Sequence, residues 1–109
     1  MKIVSKGAAQ GDLLVTRISA IPANAVPEQP ENGRLILARG EATGHHHSLP
    51  HKSGVALFRD AAPGVLYFKC DKPVSLDHQE HSTIKFAPGT YKVTRQRTYH
   101  AGMASRVLD

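Results

Sequence analysis

The stretch Thr83-Ile84-Lys85-Phe86-Ala87-Pro88-Gly89-Thr90-Tyr91-Lys92-Val93-Thr94-Arg95-Gln96-Arg97-Thr98-Tyr99 decides the class of fold. Two runs rich in β-branched and aromatic residues, Thr83–Phe86 and Tyr91–Tyr99, are divided by Pro88-Gly89, a turn dipeptide in which glycine supplies the positive φ that turns need. In the second run Tyr91, Val93, Arg95, Arg97 and Tyr99 share one face by the two-residue period of a strand. Lys92, Thr94, Gln96 and Thr98 share the other, polar face. The first face begins apolar and then turns to arginine, so it leaves a core and enters a cleft or an edge.

The same grammar extends through the chain. Met1–Val4, Leu13–Ile21, Arg34–Arg39, Val55–Arg59, Val65–Cys70 and Val74–Asp77 are short apolar runs bounded by Gly, Pro, Asn or Asp. No window of eleven or more residues carries the i, i+3, i+4, i+7 stripe of an amphipathic helix. Gly11-Asp12 opens one strand, and Ala62-Pro63-Gly64 reads as a turn. Pro22 through Gly33 reads as an exposed connection. About eight short strands with a turn every ten or so residues predict an all-β fold: a small barrel, sandwich or jelly roll. The expected organisation is a single β domain over residues 1–109, since 109 residues leave little room for a second.

Composition narrows the class further. Hydrophobic residues make up 40% and charged residues 21%, values of an ordinary globular chain that exclude wholesale disorder. There is no Trp, and only three Phe and three Tyr, so the core must rest on Val, Leu, Ile and Ala. A single cysteine, Cys70, rules out an intramolecular disulfide and fits a reducing compartment. No run approaches the roughly 18 apolar residues of a membrane span. Lys6, Gln10, Asp12 and Arg17 also interrupt any signal-like apolar segment. The expectation is a cytoplasmic protein without a membrane partner. The formal charge of +5 favours anionic partners, a small molecule or nucleic acid, although the basic residues stand singly and equally serve solubility. An edge-rich β domain of this size would also gain stability as a homodimer.

The chemistry concentrates in histidine. Six of the seven histidines fall in two segments, Gly44-His45-His46-His47-Ser48-Leu49-Pro50-His51 and Asp77-His78-Gln79-Glu80-His81. On an extended strand His45 and His47 point the same way and His46 the opposite way, so the HxH pair is a pre-aimed bidentate ligand set. A turn carrying His78 and His81 would present two more imidazoles together. Side by side, His45, His47, His78 and His81 would hold a divalent metal, and zinc, iron, manganese, copper or nickel all suit such donors. Glu41, Glu80 or Asp77 would serve as oxygen ligand, general base, or partner fixing a histidine tautomer. With a metal, hydrolytic or phosphoryl chemistry is the expected class, with Glu41, Glu80 and His78 as catalytic groups and Lys92, Arg95, Arg97 and Tyr99 binding an anionic substrate.

Two other readings fit the same residues. Two converging imidazoles, one neutral and one protonated, act as base and acid on a phosphodiester without metal. His46-His47-Ser48 and His81-Ser82-Thr83 even read H-x-S/T, a short motif of two-histidine phosphoesterases. A non-enzymatic basic module touching nucleic acid or protein through Lys85, Lys92, Arg95 and Arg97 is the third.

The histidine-rich segment from Gly44 to His51 resembles the first cupin motif, and Ile84 through Val93 resembles the second, where a metal-binding histidine follows Pro-Gly. Here Lys92 stands at that histidine's place and His51 at the place of a usual glutamate. The resemblance therefore implies a jelly-roll-like fold, with any missing ligand supplied by His78 or His81. Most of the chain is similar to small uncharacterised bacterial and phage proteins with an early QGD segment, a GExTGHxH segment, and HxEH followed by GxYxVxRQRxY. In this sequence these are Gln10-Gly11-Asp12, Gly40 through His47, His78-Gln79-Glu80-His81 and Gly89 through Tyr99. That pattern brings no activity with it, but it singles out His45, His47, His78, Glu80 and His81 over His46 and His51.

Overall fold

The computed structural model describes residues 2–40 and 44–95, and everything below concerns these residues. They form an all-β fold of eleven strands. The largest sheet has six, in the order β2-β3-β11-β8-β7-β4: Gly7–Gln10, Leu13–Ile18, Gly89–Arg95, Val65–Cys70, Val55–Arg59 and Val26–Pro27. A second sheet sets β10 (Ile84–Phe86) between β1 (Ile3–Val4) and β9 (Val74–Leu76). β1 runs parallel to β10, and β9 antiparallel. β5 (Arg34–Arg39) and β6 (His46–Pro50) form an antiparallel pair of their own.

Three more strands are present than the eight or so expected, and the differences have physical causes. The connection Pro22–Gly33 contains β4, whose two residues pair with Arg59 and Phe58 at the edge of the large sheet. Proline is tolerated there because an edge strand need not donate on its open side. The histidine run, read as the end of a strand, is instead the body of β6. The final strand is described as far as Arg95, so Arg97 and Tyr99 lie outside the described residues, as does Glu41.

Asn32-Gly33 explains how β5 begins. Glu31 and Arg34 exchange backbone hydrogen bonds of 2.7 and 3.0 Å across these two residues, which both have positive φ, 51° and 75°. That is the two-residue hairpin of primed type, for which Asn-Gly is the preferred sequence because both positions must be left-handed.

The strand alternation read from residues 91–95 holds. Tyr91 and Val93 are buried, while Lys92 and Thr94 lie on the half-exposed face. Leu13 and Val15 of β3 repeat the pattern beside them, in register with Arg95 and Val93. One continuous core draws on all three sheets: Phe68, Tyr91, Val93 and Val15 from the first, Val74, Leu76, Ile84 and Phe86 from the second, Leu35 and Leu49 from the third.

Its centre is aromatic despite the scarcity of such residues. Phe68 lies 4.9 Å from Tyr91 and 5.7 Å from Phe86, and Phe86 lies 5.1 Å from Tyr91, centroid to centroid. These are favourable offset and edge-to-face separations. Tyr91 reaches this position without burying an unsatisfied hydroxyl, because its Oη donates to the Ala87 carbonyl at 2.7 Å and accepts from Arg17 at 3.2 Å. Phe86 is the small sheet's contribution to the trio, so truncating it opens a cavity between sheets. Phe86→Ala is expected to lower stability by about 3–5 kcal/mol, read as a reduced urea midpoint with an unchanged denaturant slope.

Candidate metal centre

The site begins at a hairpin. β2 and β3 are joined by Gly11-Asp12, with Gln10 paired to Leu13. Gly11 has φ 60°, the left-handed value that glycine adopts without strain at the first position of such a turn. It is also the point of closest approach. A Cβ there would stand 2.8 Å from His81 Nε2 and 3.3 Å from His47 Cε1. The turn therefore brings Gln10 and Asp12 against the histidines with only a hydrogen between backbone and ring.

β6 supplies the next donors. Its residues pair with β5 through a register shift between Ile36 and Ala38, and Ala38 faces His47. His47 is buried, while His45 and His46 are half-exposed. A reciprocal backbone pair of 2.9 and 3.0 Å between Ser48 and Asp77 ties β6 to the segment after β9. This tie carries residues 78–81 across to residues 45–47. The ring centroids of His47 and His78 are 4.4 Å apart, those of His78 and His81 4.6 Å, of His45 and His78 5.8 Å, and of His47 and His81 6.0 Å. All four histidines named as metal ligands thus meet in one cluster.

Hydrogen bonds assign their tautomers. Gln10 is fully buried, and its amide nitrogen donates to the carbonyls of Leu76 at 3.0 Å and Ser82 at 2.8 Å. Since only a nitrogen can donate to carbonyls, the side-chain oxygen must face the other way. It lies 2.8 Å from His47 Nδ1, which therefore carries the proton. Nε2 of His47 is left with the lone pair, 3.7 Å from Asp12 Oδ1. His45 Nδ1 lies 3.2 Å from Glu80 Oε1, an ionic contact when the ring is protonated. His78 is reversed. Its Nδ1 accepts backbone N–H groups of Glu80 at 3.0 Å and His81 at 3.3 Å, so Nε2 carries the proton. Among the described residues no three His, Cys, Asp or Glu side chains stand as a ready-made ligating group.

Two of the rings are held toward the neutral form. Burial, with the neighbouring His78, holds the His47 pKa down to about 4, against a partial opposing pull from Asp12. His78 is also lowered, by burial first and then by His81 and His45. At neutral pH His47 is therefore an unprotonated nitrogen donor.

Two of the predicted anion binders, Arg95 and Lys92, lie within the described residues. Arg95 Nε binds Asp12 Oδ2 at 2.5 Å and its Nη2 the Arg39 carbonyl at 3.2 Å, so it orients Asp12 rather than standing open. Lys92 lies on the opposite face of β11, where its charge acts on Asp60. His51 is exposed after β6. Two residues of the site escaped the sequence reading of the cluster, Gln10 and Asp12. The signal that marks them is the QGD segment itself, which places a polar residue on either side of an obligatory turn glycine.

The fold and these contacts define the class of protein: an all-β domain that gathers imidazoles from two distant segments beside a hairpin. Residues 9–96 match a family described as a domain of unknown function, DUF8820, and the chain belongs to that family. The matched span runs from the residue before Gln10 to the residue after Arg95, and so includes every contact of the cluster. No curated protein and no solved structure matches the chain.

The depressed His47 pKa has a consequence for stability. The unfolded imidazole takes up a proton near pH 6.5 and the folded one only near 4, so stability present above 6.5 is lost progressively as pH falls toward 4. The full difference amounts to about 3 kcal/mol. In chelator, urea unfolding at pH 7 and pH 4.5 should show a smaller loss on acidification in His47→Asn than in the unchanged protein. An equal loss would remove His47 as its source.

Proposed function

We propose that this protein is a divalent transition-metal-binding β domain centred on the His45–His47 pair. The observation that carries the reading is the way both Nδ1 atoms are held. Gln10 Oε1 accepts from His47 Nδ1, and Glu80 Oε1 lies 3.2 Å from His45 Nδ1. Metal-ligating histidines characteristically donate the second ring N–H to a carboxylate or carbonyl oxygen, which fixes the ring and makes Nε2 a better ligand. Here His47, on β6, carries that feature and stays unprotonated at neutral pH, and His45, just before the strand, sets its Nδ1 beside a carboxylate.

Asp12 and His81 are the nearest candidates to complete the set. The Asp12 carboxylate faces the His47 lone pair, two electron-rich groups whose approach a cation would favour. His81 Nε2 lies over Gly11, beside the His47 ring. The donors do not yet converge, so binding requires some side-chain rotation. His78, whose Nε2 bears the proton, suits proton donation rather than ligation. Activation of water toward an anionic substrate is the reaction class that such a centre serves.

One observation favours a second reading. His47 offers a lone pair and His78 an N–H from rings 4.4 Å apart, a base and an acid in complementary tautomers. Metal-free acid–base chemistry on a phosphodiester would use that pair directly.

Elemental analysis of protein purified without an affinity tag distinguishes them. The metal reading expects stoichiometric zinc, iron, manganese, copper or nickel that is lost in His45→Ala/His47→Ala. It also expects Gln10→Leu to weaken affinity about 10- to 100-fold. Absence of metal after reconstitution with each ion, with a phosphodiesterase activity that persists in excess chelator, would establish the second reading instead.

A further inference from the structure

Beyond the metal centre, we propose that the opposite side of β6 is a binding pocket for a small oxyanion, a phosphate or a short carboxylate. Strand alternation turns His46 away from His45 and His47, and on that side a cavity of about 240 Å³ is lined by Arg34, His46, Ser48, Asp77, His78 and Gln79. Its size sets the class of ligand. It falls below the 300 Å³ or so at which drug-sized ligands begin to fit, yet holds roughly eight water volumes. A phosphate or a two- to four-carbon acid fits within it.

The polar groups point to the charge. His46 Nδ1 is buried without a hydrogen-bond partner, an unfavourable placement for a polar atom. The Gln79 side-chain oxygen accepts the His46 backbone N–H at 2.9 Å, which leaves the amide nitrogen as the donor end. His78, whose Nε2 carries the proton because backbone amides occupy its Nδ1, also lines the cavity. Arg34 is pinned at the pocket wall. Its Nε donates to Ser48 Oγ at 3.0 Å, and one terminal nitrogen to the Ser48 carbonyl at 3.1 Å and Asp77 Oδ2 at 2.7 Å. The other terminal nitrogen makes none of these bonds and presents two further N–H groups. A guanidinium held in this manner has already lost its side-chain freedom, so little remains to be lost on binding.

Asp77 is the one acidic group of the lining, and both of its oxygens are engaged. Oδ2 meets Arg34, and Oδ1 accepts from Thr83 at 3.0 Å. What the cavity still offers is therefore chiefly donors: Arg34, Gln79 and His78 around an unsatisfied His46. Oxyanions are the small ligands whose oxygens accept several such bonds together. The pocket shares His78 with the histidine cluster but needs no metal, and the two sites stand or fall separately.

The test is titration with inorganic phosphate and, in parallel, with succinate. Chelator is present throughout, so that no metal–anion contact contributes, and binding is followed by ¹H–¹⁵N spectra and calorimetry. Saturable binding of either anion, with shifts centred on His46, Gln79 and His78, is expected; the arm that saturates identifies the ligand class. Arg34→Met should weaken it about tenfold or more, as loss of charge-assisted bonds requires. Gln79→Ala, at an exposed position, tests the same pocket without touching the Arg34–Asp77 pair, and should also weaken binding. Lys69→Ala removes an equal charge from an exposed site elsewhere and should leave binding unaltered. If neither anion saturates, or if Arg34→Met and Gln79→Ala bind as tightly as Lys69→Ala, there is no such pocket.

Discussion

The buried amide of Gln10 is the constraint on which the histidine cluster depends. It is a polar side chain at full burial, a placement that costs free energy unless each hydrogen-bonding atom is satisfied. Two carbonyls from a segment 66 and 72 residues away take its donors. Its acceptor is then committed to His47, 37 residues distant in the other segment. One side chain thus holds the first hairpin, the strand of histidines and the 76–82 segment in fixed relation. Rotating it would leave N–H facing N–H at His47 and oxygen facing oxygen at Leu76 and Ser82, so a single arrangement is strongly preferred.

Around that point the fold supplies neighbours rather than chemistry. β6 presents different surroundings on its two sides because alternate residues of a strand face opposite ways. His45 and His47 meet Glu80 and Gln10 on one side, and His46 meets Arg34, Asp77 and Gln79 on the other. The Ser48–Asp77 backbone pair fastens the strand to the segment that closes both. Carboxylates are distributed along with the cations: Asp12 with Arg95, Asp77 with Arg34, Glu31 with Arg39, Glu28 with Arg59. Four arginines are thereby tied into local pairs and act mainly as struts.

The strands were legible in the sequence wherever alternation and turn residues coincide, as at Leu13–Ile18, Val65–Cys70 and Tyr91–Arg95. They were not legible where a strand owes its existence to its partner alone. Val26–Pro27 looks like linker until Arg59 and Phe58 pair with it, and His46–Pro50 carries no β-former pattern of its own. Parity along residues 45–47 separated His46 from its neighbours, because that argument needs only local extension. Clustering in sequence likewise marked residues 78–81. Gln10 and Asp12 were passed over for the opposite reason: their roles come from contacts spanning 37 to 83 residues, which no local pattern announces. Likewise the strand face that carries Arg95 was identified, but its pairing with Asp12 was not.

The loop lengths of those contacts bear on how the domain comes into being. Contacts closed across such long stretches of chain are assembled late, after the entropy of bringing the ends together has been met. The last strand, β11, joins β3 to β8, and Arg95 at its end secures Asp12. A nascent chain that has emerged only through residue 82 already contains all four clustered imidazoles, but lacks the strand that anchors Asp12. On the metal-binding reading proposed above, occupancy of the centre would report that the sheet has closed.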